Sequence, residues 1–164
     1  MEYWDILDKD GNPTGKRICR DRSALAKGEY HPVVHVWIFH NNRFLIQKRS
    51  TQKHPMAGEW AATGGAVISG ERPIEAATRE LSEELSVKAG ENELCFIKRM
   101  LRKSSIIDIF SLHRQIDEKK LILQKSEVER VKWVSTETLK EMIKSGEFHN
   151  YGYEYFQNIF SLIK

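Results

Sequence analysis

Cysteine is scarce in this 164-residue chain. Cys19 and Cys95 stand alone and far apart and form no metal-ligand pair. Both are read as small buried hydrophobes in a reducing compartment. No apolar run approaches the length that crosses a bilayer. The first twenty residues, beginning MEYWDILDKDG, lack the apolar core of a secretion signal. A cytoplasmic protein without a membrane partner is therefore expected. An excess of one charge is missing too: 26 basic against 23 acidic residues leave +3. That is too little to signal polymeric nucleic acid, yet it would not repel a small phosphorylated ligand. No repeat, low-complexity tract or linker interrupts the chain, so a single domain over 1–164 with a full core is expected.

Strand and helix signals alternate along the chain. Residues 2–7 (EYWDIL) and 14–19 flank a cluster of turn formers at 8–13, which predicts an N-terminal β-hairpin. Residues 20–30 hold at most a short helical turn ending at Gly28. The β-branched and aromatic run 33–39 (VVHVWIF) is the clearest strand, returned by 43–48 across Asn41-Asn42. Residues 49–60 read as a loop. A helix is predicted over 73–86, and strands over 94–101, 105–115, 121–123 (weaker) and 131–134. Helices then follow before Ser145-Gly146 and over 151–163. Strands bracketed by helices give an α/β (α+β) sandwich with a mixed sheet.

Residues 64–87, GGAVISGERPIEAATRELSEELSV, carry the chemistry. Pro73 suits a first helical turn. At about 100° per residue Ile74, Thr78, Leu81 and Leu85 form a core stripe. Glu80, Glu83 and Glu84 share a neighbouring face, where three like charges repel unless something neutralises them. Surface helices are often acidic, and Arg79 can pair with Glu83. Hard divalent cations are nevertheless bound by such oxygen ligands, so a metal would turn the repulsion into a site.

Gly65, Glu71, Arg79-Glu80-Leu81, Glu83-Glu84 and Val87 match the Nudix box, and residues 65–87 closely resemble it. Ser86 departs from it by standing where the family has Gly, and altered helix capping is expected there. The resemblance implies a Nudix-type α/β/α sandwich. It also implies hydrolysis of the pyrophosphate linkage of a nucleoside diphosphate joined to another group, with Mg²⁺ or Mn²⁺ as cofactor. By the same resemblance Glu80, Glu83, Glu84 and the Gly65 carbonyl hold metal. Glu71 and Arg79 brace the loop and helix by a salt bridge. Glu83 or Glu84 is the base.

The hairpin, YHPVVHVWIF, LIQKRSTQKHPMAGEW and GGAVISGE also resemble the branch containing isopentenyl-diphosphate isomerase. That reading is disfavoured: the isomerase's Cys and His positions fall on Gly64 and Ala66, although His31 matches one of its histidines. A non-catalytic nucleotide-binding module is the other rival. Outside the box, Lys48 and Arg49, with Lys53, read either as a phosphate clamp or as a solvated basic loop. His31 and His35 are structural histidines with substrate contact as the rival reading, and Glu127 is a further candidate ligand or base. Trp37, Phe39 and Trp60 are expected in the core, and the tyrosine-rich tail admits a homodimer.

Overall fold

The computed structural model describes residues 1–163. Tyr3–Leu7 (β1) and Pro13–Cys19 (β2) form the expected N-terminal hairpin. In its turn Asp8 Oδ1 accepts from the backbone of Asp10 and Asn12 at 2.8 and 3.0 Å. The ribbon stands apart from the main sheet and docks through Trp4 and Ile6, which pack against Ala66.

The main sheet contains His31–His40 (β3), Arg43–Arg49 (β4), Trp60–Ala61 (β5), Thr63–Ala66 (β6), Leu94–Leu101 (β7), Ser105–His113 (β8) and Val128–Ser135 (β9). Its core order is β5-β4-β3-β8-β7, with β6 on β3 and β9 on β4. The β3–β8 pair is parallel and β3 runs antiparallel to β4 and β6, so the sheet is mixed. Successive side chains of a strand face opposite ways, and β3 uses both faces. Val34, Val36 and Ile38 pack on the side of helix Pro73–Leu85 (α1). Trp37 packs on the side of helices Thr136–Ser145 (α2) and Tyr153–Phe160 (α3). The result is a three-layer α/β/α sandwich with one core on each face of the sheet.

Each helix end has a local cause. Pro73 opens α1, and the Glu75 carboxylate caps the Arg72 N–H at 2.7 Å. Leu81 and Leu85 are fully buried, stabilising the dock by roughly 2 kcal/mol each. Ser86 ends α1 in the left-handed region at φ +56°, where Gly meets no Cβ penalty. Ser135 caps α2 by accepting from the Thr138 N–H at 3.1 Å, and Gly146 closes it at φ +85°.

The functional cleft comes from a split in the sheet. One edge of β3 pairs with β4 at Ile38–His40 and with β6 at Val33–Val36. Meanwhile β4 leaves to pair with β5 at Gln47 and Lys48. Where the edge changes partner, the sheet opens.

Four expectations are corrected. Residues 121–123 form no strand; they follow a 3₁₀ turn at Glu118–Lys120. Their alternation arises because Leu121 and Leu123 pack on the α1 core while Ile122 is exposed. Cys19 and Cys95 are exposed rather than buried, because β2 and β7 turn these positions away from both cores. The last helix starts at Tyr153 instead of 151, since Gly152 at φ +102° breaks the chain before it and leaves Tyr151 at the cleft. Phe39 is only partly buried, whereas Trp37 and Trp60 are core. The short strands β5 and β6 lay below the sequence signal, while the short helical turn expected within residues 20–30 forms at Arg22–Ala24, ahead of Gly28.

Candidate active site

One wall of the site is α1 and the opposing floor is β6 with β3. Gly65 of β6 lies so close beneath Glu80 that a Cβ there would sit 2.3 Å from Oε1 of that carboxylate. Gly64 is constrained differently: a Cβ would lie 2.1 Å from the Val34 backbone oxygen. A side chain at Gly64 would therefore force this strand pairing to shift, and the position carries no thiol, the group that the isomerase reading needs.

Arg79 organises the acids. Its Nε and Nη2 donate to the two Glu71 oxygens at 2.8 and 3.1 Å. Nη2 also reaches the Ala66 carbonyl at 3.0 Å, and Nη1 donates to Glu80 at 2.8 Å and Glu83 at 3.1 Å. All five guanidinium donors are used. Glu71 also accepts from the Ile68 N–H at 3.0 Å, so the expected Glu71–Arg79 brace ties the loop before α1 to the helix.

Glu84 differs from its neighbours. It is 3% exposed, and its donor partner among the described residues is Gln47 Nε2, at 2.9 Å. Gln47 is itself fixed by the Thr63 hydroxyl donating at 2.8 Å to Oε1. Burial, then the charge of Glu80, pushes the Glu84 carboxyl up to about 8. Glu80 is also raised, chiefly by burial, against the pull of Arg79. Glu127 adds negative charge to both from the facing segment, where Lys53 holds it at 2.8 Å.

The cleft encloses about 500 Å³. Gly65, Arg79, Glu80, Glu83, Glu84, Glu127, Arg49 and His31 all line it. Lys48 does not; it lies beside Glu129 at 3.5 Å. Glu71 acts behind the wall through Arg79. His35 lines the floor as a buried group: Trp37 Nε1 donates to the Tyr155 hydroxyl at 2.8 Å, which leaves that hydroxyl to donate to His35 Nδ1 at 2.7 Å. The network therefore assigns the His35 proton to Nε2, and burial pulls its pKa down to about 3.

Among the described residues no three histidine, cysteine or acidic side chains are already closed into a metal cage. Arg79 instead draws Glu80 and Glu83 to itself. The donor set still fits a hard cation. It offers carboxylate oxygens beside a strand carbonyl, and a buried Glu84 short of counter-charge. Gln47, Thr63 and Trp4 were not anticipated as site residues. Gln47 had a readable signal, as the polar member of the apolar run FLIQ in β4; the others meet the site through tertiary contacts.

A NUDIX domain family model matches residues 29–156. An uncharacterised Nudix hydrolase of Listeria monocytogenes is 33% identical over 92% of this chain and 90% of its own. The isopentenyl-diphosphate Delta-isomerase of Pectobacterium atrosepticum is 32% identical, but over 51% of this chain and 46% of its own. The crystal structure of DR0079 from Deinococcus radiodurans superposes with a TM-score of 0.76, at 23% identity, covering 91% of this chain and 93% of that one. The fold, the box and a relative matched almost end to end agree: this chain belongs to the Nudix hydrolase family, whose members cut pyrophosphate linkages and generally use divalent cations.

Proposed function

We propose that this chain is a Mg²⁺- or Mn²⁺-dependent hydrolase cutting the pyrophosphate linkage of a nucleoside diphosphate joined to another group. The observation that carries the reading is the convergence of Glu80, Glu83 and Glu84 beside Gly65 in one cleft, with Glu84 buried and short of positive charge.

Glu80, Glu83, Glu84 and the Gly65 carbonyl would hold the ion. Such an ion supplies Lewis-acid charge to the diphosphate oxygens and to an attacking water. The chain's own residues do the rest. Arg79 and Glu71 fix the spacing between the loop and α1. Gln47 orients Glu84. Arg49 and Lys53 give the cleft cationic groups that attract an anionic diphosphate. Glu83, half exposed and held on one oxygen by Arg79, or Glu84 takes the proton of the attacking water. Residues 1–163 act as one unit in this reading, with the hairpin as part of the cleft.

The test is a hydrolysis screen over nucleoside di- and triphosphates, nucleotide sugars, dinucleotides and isoprenoid or thiamine diphosphates, with product analysis to locate the cut bond. Turnover should appear with Mg²⁺ or Mn²⁺ and stop with chelator. Turnover indifferent to chelator would refute the metal assignment. Ligand binding without hydrolysis under any metal would favour a binding module instead.

A further inference from the structure

The far end of the same cleft holds a pair of polar groups that the hydrolytic chemistry leaves unused. Trp4 of the hairpin and His31 at the start of β3 are 3% and 1% exposed, and both line the cleft. Their rings meet edge to face at 4.2 Å. Trp4 Nε1 and His31 Nδ1 are the buried side-chain nitrogens and oxygens without a hydrogen-bond partner among the described residues. Buried polar groups are nearly always paired in native proteins, and an exception calls for a reason. Two adjacent exceptions, on residues that line one cavity, share a reason if their partner arrives with the ligand.

The position of the pair says which part of a ligand it meets. Gly65, under Glu80, is the register partner of Val34. His31 lies three residues further along β3, about 10 Å at the rise of a strand. At that distance Trp4 lies beyond the reacting bond of a diphosphate held at the carboxylates, where only a group attached to it would reach. Ala66 continues the floor between the two ends and packs against Trp4.

Chemistry narrows the class of that group. An indole N–H only donates, so the ligand must present an acceptor. His31 is held neutral, its pKa pulled down to about 4 by burial and then by Arg22 and Arg20. A neutral imidazole nitrogen takes either a donor or an acceptor. A carbonyl beside an N–H, the edge of a nucleobase, meets both conditions. A hydrocarbon chain meets neither and would leave both nitrogens stranded, and sites built to hydrogen-bond a ligand reject analogues lacking the group.

The geometry points to Trp4 Nε1 and His31 Nδ1 as the recognition pair for a hydrogen-bonding headgroup, the edge of a nucleobase, at the hairpin end of the cleft. This rests on the hydrolase reading above for the placement of the diphosphate, and it selects nucleoside over isoprenoid diphosphates within it.

The experiment has a binding arm and a kinetic arm. In the binding arm the indole N–H signals of the Glu83→Gln protein are followed by NMR as Mg²⁺ with ADP, CDP, GDP, UDP or geranyl diphosphate is added. The Trp4 signal should move with at least one nucleoside diphosphate and hold still with geranyl diphosphate. The Trp37 and Trp133 signals serve as references, since their N–H groups are already bonded to Tyr155 and to the Ile116 carbonyl. In the kinetic arm, Trp4→Phe should lower the ratio of kcat/KM for the preferred nucleoside diphosphate over geranyl diphosphate by roughly tenfold, the loss of one buried neutral hydrogen bond. An unmoved Trp4 signal at saturation, equal movement with geranyl diphosphate, or an unchanged ratio in a folded Trp4→Phe protein overturns the assignment. If the wild type hydrolyses nothing in the full screen of nucleotides, nucleotide sugars, dinucleotides and isoprenoid or thiamine diphosphates, the hydrolase reading fails, and the binding arm still decides the recognition pair on the native Trp4 side chain.

Discussion

The two ends of the cleft solve the burial of polar groups in opposite ways. At the carboxylate end the acids drawn to Arg79 are tied: all five of its donors are engaged, to Glu71, Glu80, Glu83 and the Ala66 carbonyl. At the hairpin end Trp4 Nε1 and His31 Nδ1 have no hydrogen-bond partner among the described residues. The difference follows from charge. An unpaired buried carboxylate is destabilising by several kcal/mol, whereas an unpaired neutral donor or acceptor costs about 1–3 kcal/mol. A folded protein can therefore carry neutral orphans until a ligand arrives. It must hold its acids on a cation or keep them protonated, and in metal-free protein Glu84, beyond reach of Arg79, takes the second course.

Breaking the carboxylate end should have the largest effect. Glu83→Gln is expected to lower metal-dependent turnover by at least about a hundredfold while circular dichroism and melting temperature stay near wild type. Turnover within a factor of two of wild type would detach the acids from the reaction.

The adjacent glycines test whether backbone and site are separable. A Cβ at Gly64 meets the fixed Val34 carbonyl, and one at Gly65 meets the movable end of Glu80. Gly64→Ala should therefore destabilise the fold by about 2 kcal/mol, through overpacking. Gly65→Ala should melt close to wild type and lose activity. Thermal denaturation alongside kinetics reads both, and equal melting losses would dissolve the distinction.

A pH series sharpens the contrast between charged and neutral burial. His31 and His35 have folded pKa values near 4 and 3, below the ordinary 6.5. The unfolded chain thus binds more protons below pH 6.5, and each histidine's contribution is lost as pH falls through that window. Between pH 7 and 5 this amounts to about 2 kcal/mol per histidine. Glu84 acts with the opposite sign. Its folded pKa near 8 exceeds the ordinary 4.5, so the folded state holds the extra proton and stability falls as pH rises from 4.5 to 8. In metal-free protein the two trends oppose each other, and Glu84 offsets roughly half of the histidines' combined effect. Glu84→Gln removes one of them, and its stability should rise from pH 5 to 7 more steeply than that of wild type, by about 2 kcal/mol. Parallel curves in denaturant titrations would contradict the assignment of Glu84 as the buried neutral acid.

The smallest effect is expected at Ser86. A glycine there relaxes the left-handed cap. It also gives up the Ser86 hydroxyl that accepts from the Ile122 N–H at 2.8 Å. The two terms oppose each other, so Ser86→Gly should shift stability by less than about 1 kcal/mol.

Much of the carboxylate end was legible in the linear chain because its contacts are local. Glu71, Arg79, Glu80 and Glu83 all lie between positions 71 and 83, and helix periodicity alone puts the last three on neighbouring faces. The strand 33–39 and the capped second helix were equally legible, as their β-branched run and their Ser and Gly termini are short-range signals. Residues 121–123 misled because apolar alternation reports a buried face and does not say whether a strand edge is free to pair. Cys19 and Cys95 misled because residue type gives a tendency to burial, while exposure is set by which side of a strand faces a core.

What the sequence by itself determined is the box: a glycine pair, a brace and three acids at fixed spacing, enough to name the family and the class of reaction. What only the tertiary structure decided is how those acids differ and where the rest of a ligand goes. Gln47 reaches Glu84 of α1 from strand β4, and Trp4 reaches His31 from a hairpin folded back over the sheet. Burial and hydrogen bonding are properties of the assembled layers. Groups with the same intrinsic chemistry become a paired ion, a protonated acid or a waiting donor according to what packs beside them.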